Sequence, residues 1–176
     1  MDRINNFEKE NTGLEIVASV SDDLFEKIYA IEREVSTEDM VLSQEDLRNI
    51  VDNSHAFTVV IRDGESVSGF VVALPVGEVF DELAPYDSEL KNNEGNLYVY
   101  DIAISPSKRN LPNFLNLVRK LLSEATLRGY KKLIMHTRKS EGLSGILQKR
   151  YGAQKLRTIE NWCGYGEPFD YLEMTL

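Results

Sequence analysis

Apolar positions recur along this chain at two spacings. From Asp22 onward Leu24, Phe25, Ile28, Tyr29 and Ile31 fall at helical intervals, and Ser21 or Asp22 stands where an N-cap accepts the orphan amides of a first turn. Ser43 opens a shorter helix through Leu47, Ile50 and Val51, with Glu45 and Asp46 placed to complement its dipole. The longest stripe is Leu111, Phe114, Leu115, Val118, Leu121, Leu122 and Ala125, with Gly129 positioned to end it. Ser140 to Tyr151 reads as another helix.

Between these lie strand-like runs. Leu14 to Val20 reads as the first. His55 to Arg62 and Ser66 to Pro75, separated by Asp63-Gly64-Glu65, predict an antiparallel hairpin. Asn96 to Ile104 (NLYVYDIAI) is β-branched and aromatic and bounded by Gly95 and Ser105-Pro106, the strongest strand signal in the chain. Lys132 to His136, Ala153 to Glu160 and Tyr171 to Leu176 complete the set. Glu78 to Asn96 is acidic and turn-rich and reads as a surface excursion. Residues 1–13 read as a flexible leader before a single domain over 14–176. The order β-α-α-β-β-β-α-β-α-β-β favours an α/β fold, with a mixed sheet covered by helices on both faces.

Composition narrows the classes. A chain of 176 residues with 42% apolar and 28% charged residues suits one soluble domain. No apolar run approaches the roughly 20 residues that span a bilayer. The start, MDRINNFEKENTG, is polar where a secretory signal is apolar, which points to the cytoplasm and away from a membrane. Cys163 has no partner for an internal disulfide, and with only His55 and His136 besides, no metal-ligand spacing arises. A formal charge of −9 opposes binding to nucleic acid and favours a cationic partner or substrate. The plainer reading of that charge is solubility.

The strand, Ser-Pro loop and long helix from Asn96 onward, within this element order, resemble the GCN5-related N-acetyltransferase (GNAT) superfamily over about residues 14–176. The resemblance implies a mostly antiparallel sheet of about seven strands, splayed between strands four and five, with acetyl-CoA in the opening against strand four. The family loop that follows reads apolar-x-Pro-x-x-Arg/Gln-x-x-Gly-x-Gly/Ala. Here it is Ile104-Ser105-Pro106-Ser107-Lys108-Arg109-Asn110-Leu111-Pro112-Asn113-Phe114. Pro106 and Arg109 match, whereas Pro112 and Phe114 replace the small residues. That loop cradles pyrophosphate with amide N–H groups at a helix N-terminus; a proline removes one donor, and a phenylalanine obstructs the approach unless it turns into the core.

The resemblance therefore implies cofactor contacts from Ile102, Ala103, Ile104, Lys108, Arg109, Asn110, Leu111, Asn113 and Phe114. In the alternative reading Asn110 caps the helix, Pro112 fits its first turn and the loop binds nothing. Asp101, in the middle of strand four, matches carboxylates that family members use as a base. Its plain alternative is a strand residue hydrogen-bonded to a neighbouring loop. Backbone N–H groups of Ile102 or Ala103 serve as oxyanion donors.

The segment Glu160 to Glu167, followed by Tyr171-Leu172-Glu173-Met174, resembles the closing hairpin of the ribosomal-protein N-terminal acetyltransferase branch. It leaves Tyr165 as the phenol nearest the departing thiolate. Another branch places a tyrosine in the fourth helix, where this chain has Gln148; Tyr151, three residues on, reads as packed at the helix end. Glu34, Glu38 and Asp39, between the first two helices, either attract a cationic amine or form a solvated loop.

Three readings follow: an N-acetyltransferase acting on an amine-bearing small molecule, peptide or protein, as a monomer or homodimer; an inactive module of the same fold that engages a partner through its acidic surface; and a transferase using another acyl or aminoacyl donor.

Overall fold

The structure, a computed structural model, describes residues 13–176, so the expected leader lies almost wholly outside it. Seven strands form one sheet in the order β1-β2-β3-β4-β5-β7-β6. They are β1 (Gly13–Val17), β2 (Phe57–Asp63), β3 (Ser66–Pro75), β4 (Asn96–Ile104), β5 (Lys132–Arg138), β6 (Gln154–Ile159) and β7 (Phe169–Thr175). All neighbours are antiparallel except β4 and β5, which run parallel.

Period-two alternation along the strands feeds cores on both faces of the sheet. On one, Val59, Val71, Ala73, Leu97, Leu133 and Leu172 pack beneath α4 (Leu111–Leu127) and α5 (Leu143–Tyr151). On the other, Val60, Phe70, Val72 and Ala103 pack against α1 (Asp22–Val35) and α2 (Gln44–Val51). Beside them Leu74, Tyr98, Ile134 and Tyr171 pack with α3 (Val76–Leu83) and Trp162. The caps form as the residue types require: Ser21 accepts from the Leu24 amide, Ser43 from Asp46 and Asn110 from Asn113.

Helix α3 corrects the reading of Glu78 onward as a shapeless excursion. Val76, Val79 and Leu83 are buried at helical spacing behind the strand-ending Pro75. Eight residues are too few for a sustained period. The helix expected from Ser140 starts at Leu143 instead, because Gly142 takes a left-handed φ of 70° after a short 3-10 turn. The first strand ends at Val17, not Val20, and the last begins at Phe169. Among the described residues, no helix is long and apolar enough to cross a membrane.

Candidate active site

Strands β4 and β5 pair only through Asn96, Leu97 and Tyr98. Beyond Tyr98, β4 continues to Ile104 against β3 alone, and β5 continues to Arg138 against β7 alone. The two diverge, and a cleft of about 260 Å³ opens between them. Tyr100, Asp101 and Ile102 line it from β4, His136 and Arg138 from β5, and Glu32 from α1.

Inside the cleft β4 carries a bulge. Val72 of β3 faces Asp101 and Ala73 faces Val99, so Tyr100 is the extra residue. Alternation slips by one position there: Val99 and Ile102 both lie on the α4 side, and Ala103 returns to the α1 side. Tyr100 and Asp101 are thereby both turned toward α1, and Asp101 comes within hydrogen-bond reach of the Glu32 carboxyl.

Glu32 is only 2% exposed. Its Oε1 accepts from the Ser36 hydroxyl at 2.7 Å and the Leu42 amide at 3.2 Å. Its Oε2, and Oδ2 of Asp101, are buried and have no partner among the described residues. Burial first, then the Glu32 charge, pushes the Asp101 carboxyl well above the usual carboxylate range.

A second polar group sits where the strands part. Tyr98 donates its hydroxyl to His136 Nδ1 at 2.9 Å, and His136 Nε2 donates to Asp87 Oδ2 at 3.1 Å. Arg157 Nε donates to Asp87 Oδ1 at 3.0 Å, and His136 stacks on Trp162 with ring centroids 3.6 Å apart. Burial holds the His136 imidazole below its ordinary range, so it is neutral. Asp87, despite its burial, is held down to about 2 by hydrogen bonds from His136 and Arg157.

Of the residues read from the sequence, the cleft brings together Asp101, Ile102, Arg109 and Tyr165. The Tyr165 phenol is raised by burial, then by neighbours that include Cys163 and Asp39, and stays protonated. Ala103 and Ile104 turn their side chains into the two cores. Glu34 lies in the last turn of α1 and not in the loop between the helices, because the helix runs on to Val35, whereas Glu38 and Asp39 follow it; all three are exposed, and Asp39 lies near both Tyr165 and Arg138. Tyr151 donates its hydroxyl to the Leu115 carbonyl at 2.7 Å and serves packing.

Sequence reasoning passed over Glu32, Tyr98, Tyr100, His136 and Trp162. Glu32 did carry a signal, because it continues the row Leu24, Ile28 on the buried face of α1, where a charge is out of place.

At the loop before α4, Asn110 Oδ1 takes the Asn113 amide at 2.8 Å and Asn113 Nδ2 donates to the Lys108 carbonyl at 2.9 Å. The Lys108, Arg109 and Phe114 amides are also paired internally. Among the described residues the amides of Asn110 and Leu111 remain unpaired, with the Lys108 side chain, 3.4 Å from Asp63, and the exposed Arg109 side chain in the same loop. These fit a diphosphate as a reduced cradle. Phe114 does not obstruct it, because its ring packs against the core under α4. Phe114→Gly is accordingly expected to lower stability by about 2–4 kcal/mol in urea denaturation without tightening coenzyme A binding. Tighter binding with unchanged stability would show the ring to be an obstruction.

By sequence, no protein-family profile and no curated protein matches the chain. By structure, it superposes on the ribosomal-protein-S18-alanine N-acetyltransferase of Escherichia coli with a TM-score of 0.71 at 13% identity, covering 93% of this chain and 94% of that one. An aminoglycoside 6'-N-acetyltransferase complexed with coenzyme A gives 0.71 at 13% identity, covering 93% and 96%. The ribosomal-protein-alanine N-acetyltransferase of Brucella melitensis gives 0.70 at 14%, covering 93% and 100%. With its open seven-stranded sheet and its parting of β4 from β5, this chain has the fold of the GNAT acetyltransferases.

Proposed function

We propose that this protein is an acetyl-CoA-dependent N-acetyltransferase that transfers the acetyl group directly to the amine of a small molecule, peptide or protein. The observation that carries the reading is the strand edge of β4 beyond Tyr98, released from β5 beside the buried carboxyl of Asp101. When bound, acetyl-CoA supplies a thioester whose carbonyl carbon bonds to the amine nitrogen as its C–S bond breaks. The backbone from Tyr100 to Ile104 offers the pantetheine arm and the oxyanion its unpaired groups. Lys108 and Arg109, with the Asn110 and Leu111 amides, hold the phosphates. Asp101, with Glu32, takes a proton from the amine, and the Tyr165 phenol gives one to the leaving sulfur.

Calorimetric titration of acetyl-CoA and free coenzyme A tests this. Micromolar binding, followed by transfer to at least one amine in a screen, is the expected result. A second reading, an inactive module engaging a basic partner through its acidic surface, is favoured by Asn110, whose side chain already caps the helix end where phosphate belongs. Absence of binding at millimolar cofactor would replace the first reading with the second.

A further inference from the structure

The sheet separates two helical layers of opposite charge. Residues 102–159 hold 13 lysines and arginines against two acids, Glu124 and Glu141, whereas the rest of the chain holds seven against 27. The net charge of −9 is therefore the sum of two unlike regions. On one face of the sheet α1, α2 and α3 carry ten acids. On the other, α4 and α5 carry Arg119, Lys120, Lys149 and Arg150, and their one acid, Glu124, is paired with Arg128 at 3.0 Å. The acidic layer lies about two helix diameters away, roughly 20 Å, well beyond the screening length of about 8 Å at physiological salt, so it does not cancel the basic one.

Within that layer two cations are brought together. Tyr151 donates its hydroxyl to the Leu115 carbonyl and so ties the end of α5 to the second turn of α4. Arg119 stands one helical turn beyond Leu115, and Arg150 directly precedes Tyr151. Burial raises the Tyr151 phenol, and Arg119 and Arg150 both oppose the rise, so the two guanidiniums converge on that hydroxyl from different helices. Both are exposed, as is Lys149 beside Arg150. Arg119 meets only the Asn116 side chain, at 3.2 Å, and among the described residues none of the three has an acid within ion-pair distance. Like charges gathered without a counter-charge repel each other in the free protein, and an anion lying across them relieves that.

We propose that the outer surface of α4 and α5 binds the phosphate backbone of a nucleic-acid duplex, with Arg119, Lys149 and Arg150 as the phosphate contacts. A guanidinium fork matches phosphate oxygens. A single strand calls for exposed aromatic faces on which its bases stack, and neither helix exposes one. Tyr151 is half-buried, and the exposed large apolar residues of this pair, Leu111 and Leu127, stand at the two ends of α4. The same lack of a central apolar anchor disfavours an acidic protein, whose interface core depends on one, and a bilayer, which takes up apolar side chains. Backbone phosphates need only spaced cations. None of the three residues lines the cleft, so the surface stands apart from the transferase reading.

The experiment titrates the full chain into short fluorescently labelled RNA and DNA duplexes of mixed sequence and follows anisotropy over a series of salt concentrations. Binding of either duplex is expected, with log affinity falling against log salt at a slope of about −3, close to −0.9 for each of three phosphates. In the double variant Arg119→Gln with Arg150→Gln the slope should shrink by about 2 and affinity at low salt fall at least about tenfold. Arg33→Gln, exposed on α1 in the acidic layer, should behave as the parent. All the substituted side chains are exposed, and thermal melts confirm that the variants fold.

No binding of either duplex at low salt, or a salt slope that the double variant leaves unchanged, would overturn the proposal. So would tighter binding to the single strand, to polyglutamate or to phosphatidylserine vesicles, the last two making the surface a contact for an acidic protein or a membrane. Free coenzyme A is added as a competitor. If it displaces the duplex, the two arginines serve the cofactor and the proposal falls; duplex binding that persists supports a separate surface. Cofactor binding without duplex binding leaves the transferase reading standing alone, and duplex binding without cofactor binding leaves the basic surface standing without the transferase.

Discussion

Asp101→Asn is expected to raise thermal stability while reducing acetyl transfer by about 100- to 10,000-fold. In the native protein the Asp101 and Glu32 carboxyls face each other with an orphan oxygen on each side. Asparagine removes a carboxyl whose ionisation burial opposes and brings an amide N–H that satisfies the buried Glu32 acceptor. Relief on the order of 1–3 kcal/mol follows, or several degrees in Tm for a domain of this size.

The pH dependence fixes the sign. A carboxyl whose pKa is raised by folding contributes stability that is fully present below its unfolded value, near 3.8, and is lost as pH rises through the folded value. The variant's advantage should therefore be present at neutral and alkaline pH and vanish as pH falls below about 3.8, where Asp101 is protonated in both states. Melts from about pH 3 to about pH 8 alongside a transfer assay decide it. A variant whose gain over the parent is no larger at about pH 8 than at about pH 3, or one that retains full activity, would remove the carboxyl pair from the centre of the site. Stability gained where activity is lost is the mark of a residue held in place for chemistry.

How far the sequence announces this site differs residue by residue. The strand Asn96–Ile104 was readable to its ends because Gly95 and Ser105-Pro106 frame an unbroken β-branched and aromatic run. Ser66–Pro75 was equally clear, with Gly64 turning at φ 62° before it. Helix α3 was not, since one buried stripe of Val76, Val79 and Leu83 cannot establish a period among so many acids. Asp101 came into view through its place on a strand that resembles one in a known family. Its partner Glu32 stood on the apolar stripe of α1, but nothing local to either residue shows that they meet. That depends on the bulge at Tyr100, a property of β4 pairing with β3. Asp87 and His136 are 49 residues apart, and Asp87 lies in a stretch with no periodicity, so only the folded chain joins them. The loop before α4 held both readings in its residue types, and the Asn110 cap shows what its helix end does in this conformation.

The largest loss of stability should come from Asp87→Ala. Asp87 ties four elements together: its own loop, β5 through His136, β6 through Arg157, and β4 through the hydrogen bond from Tyr98 to His136. Removing the carboxylate leaves Arg157 without its main partner and the His136 Nε2–H without an acceptor, a loss of about 3–5 kcal/mol. Asp87→Asn, which keeps one acceptor oxygen, should lose less.

The pKa directions supply an independent signature. Asp87 is depressed to about 2, so its contribution, about 2 kcal/mol, is present above its unfolded value of 3.8 and is lost as pH falls toward 2. His136 is depressed as well, so its contribution is complete above about pH 6.5 and begins to fade below it. Urea denaturation of the native protein should show both acid losses, and Asp87→Ala should lack the lower one. The same substitution reaches function through geometry. Tyr98 is the last residue of β4 paired with β5, and its hydroxyl is pinned to His136 where the strands part. Once that pin loosens, the edge proposed to receive the cofactor loses its fixed opening, and on that reading coenzyme A affinity should fall together with stability. Unchanged stability in Asp87→Ala would mean that the apolar packing of Trp162, Phe169 and Tyr171 holds this junction by itself, and that the buried charges add nothing to it.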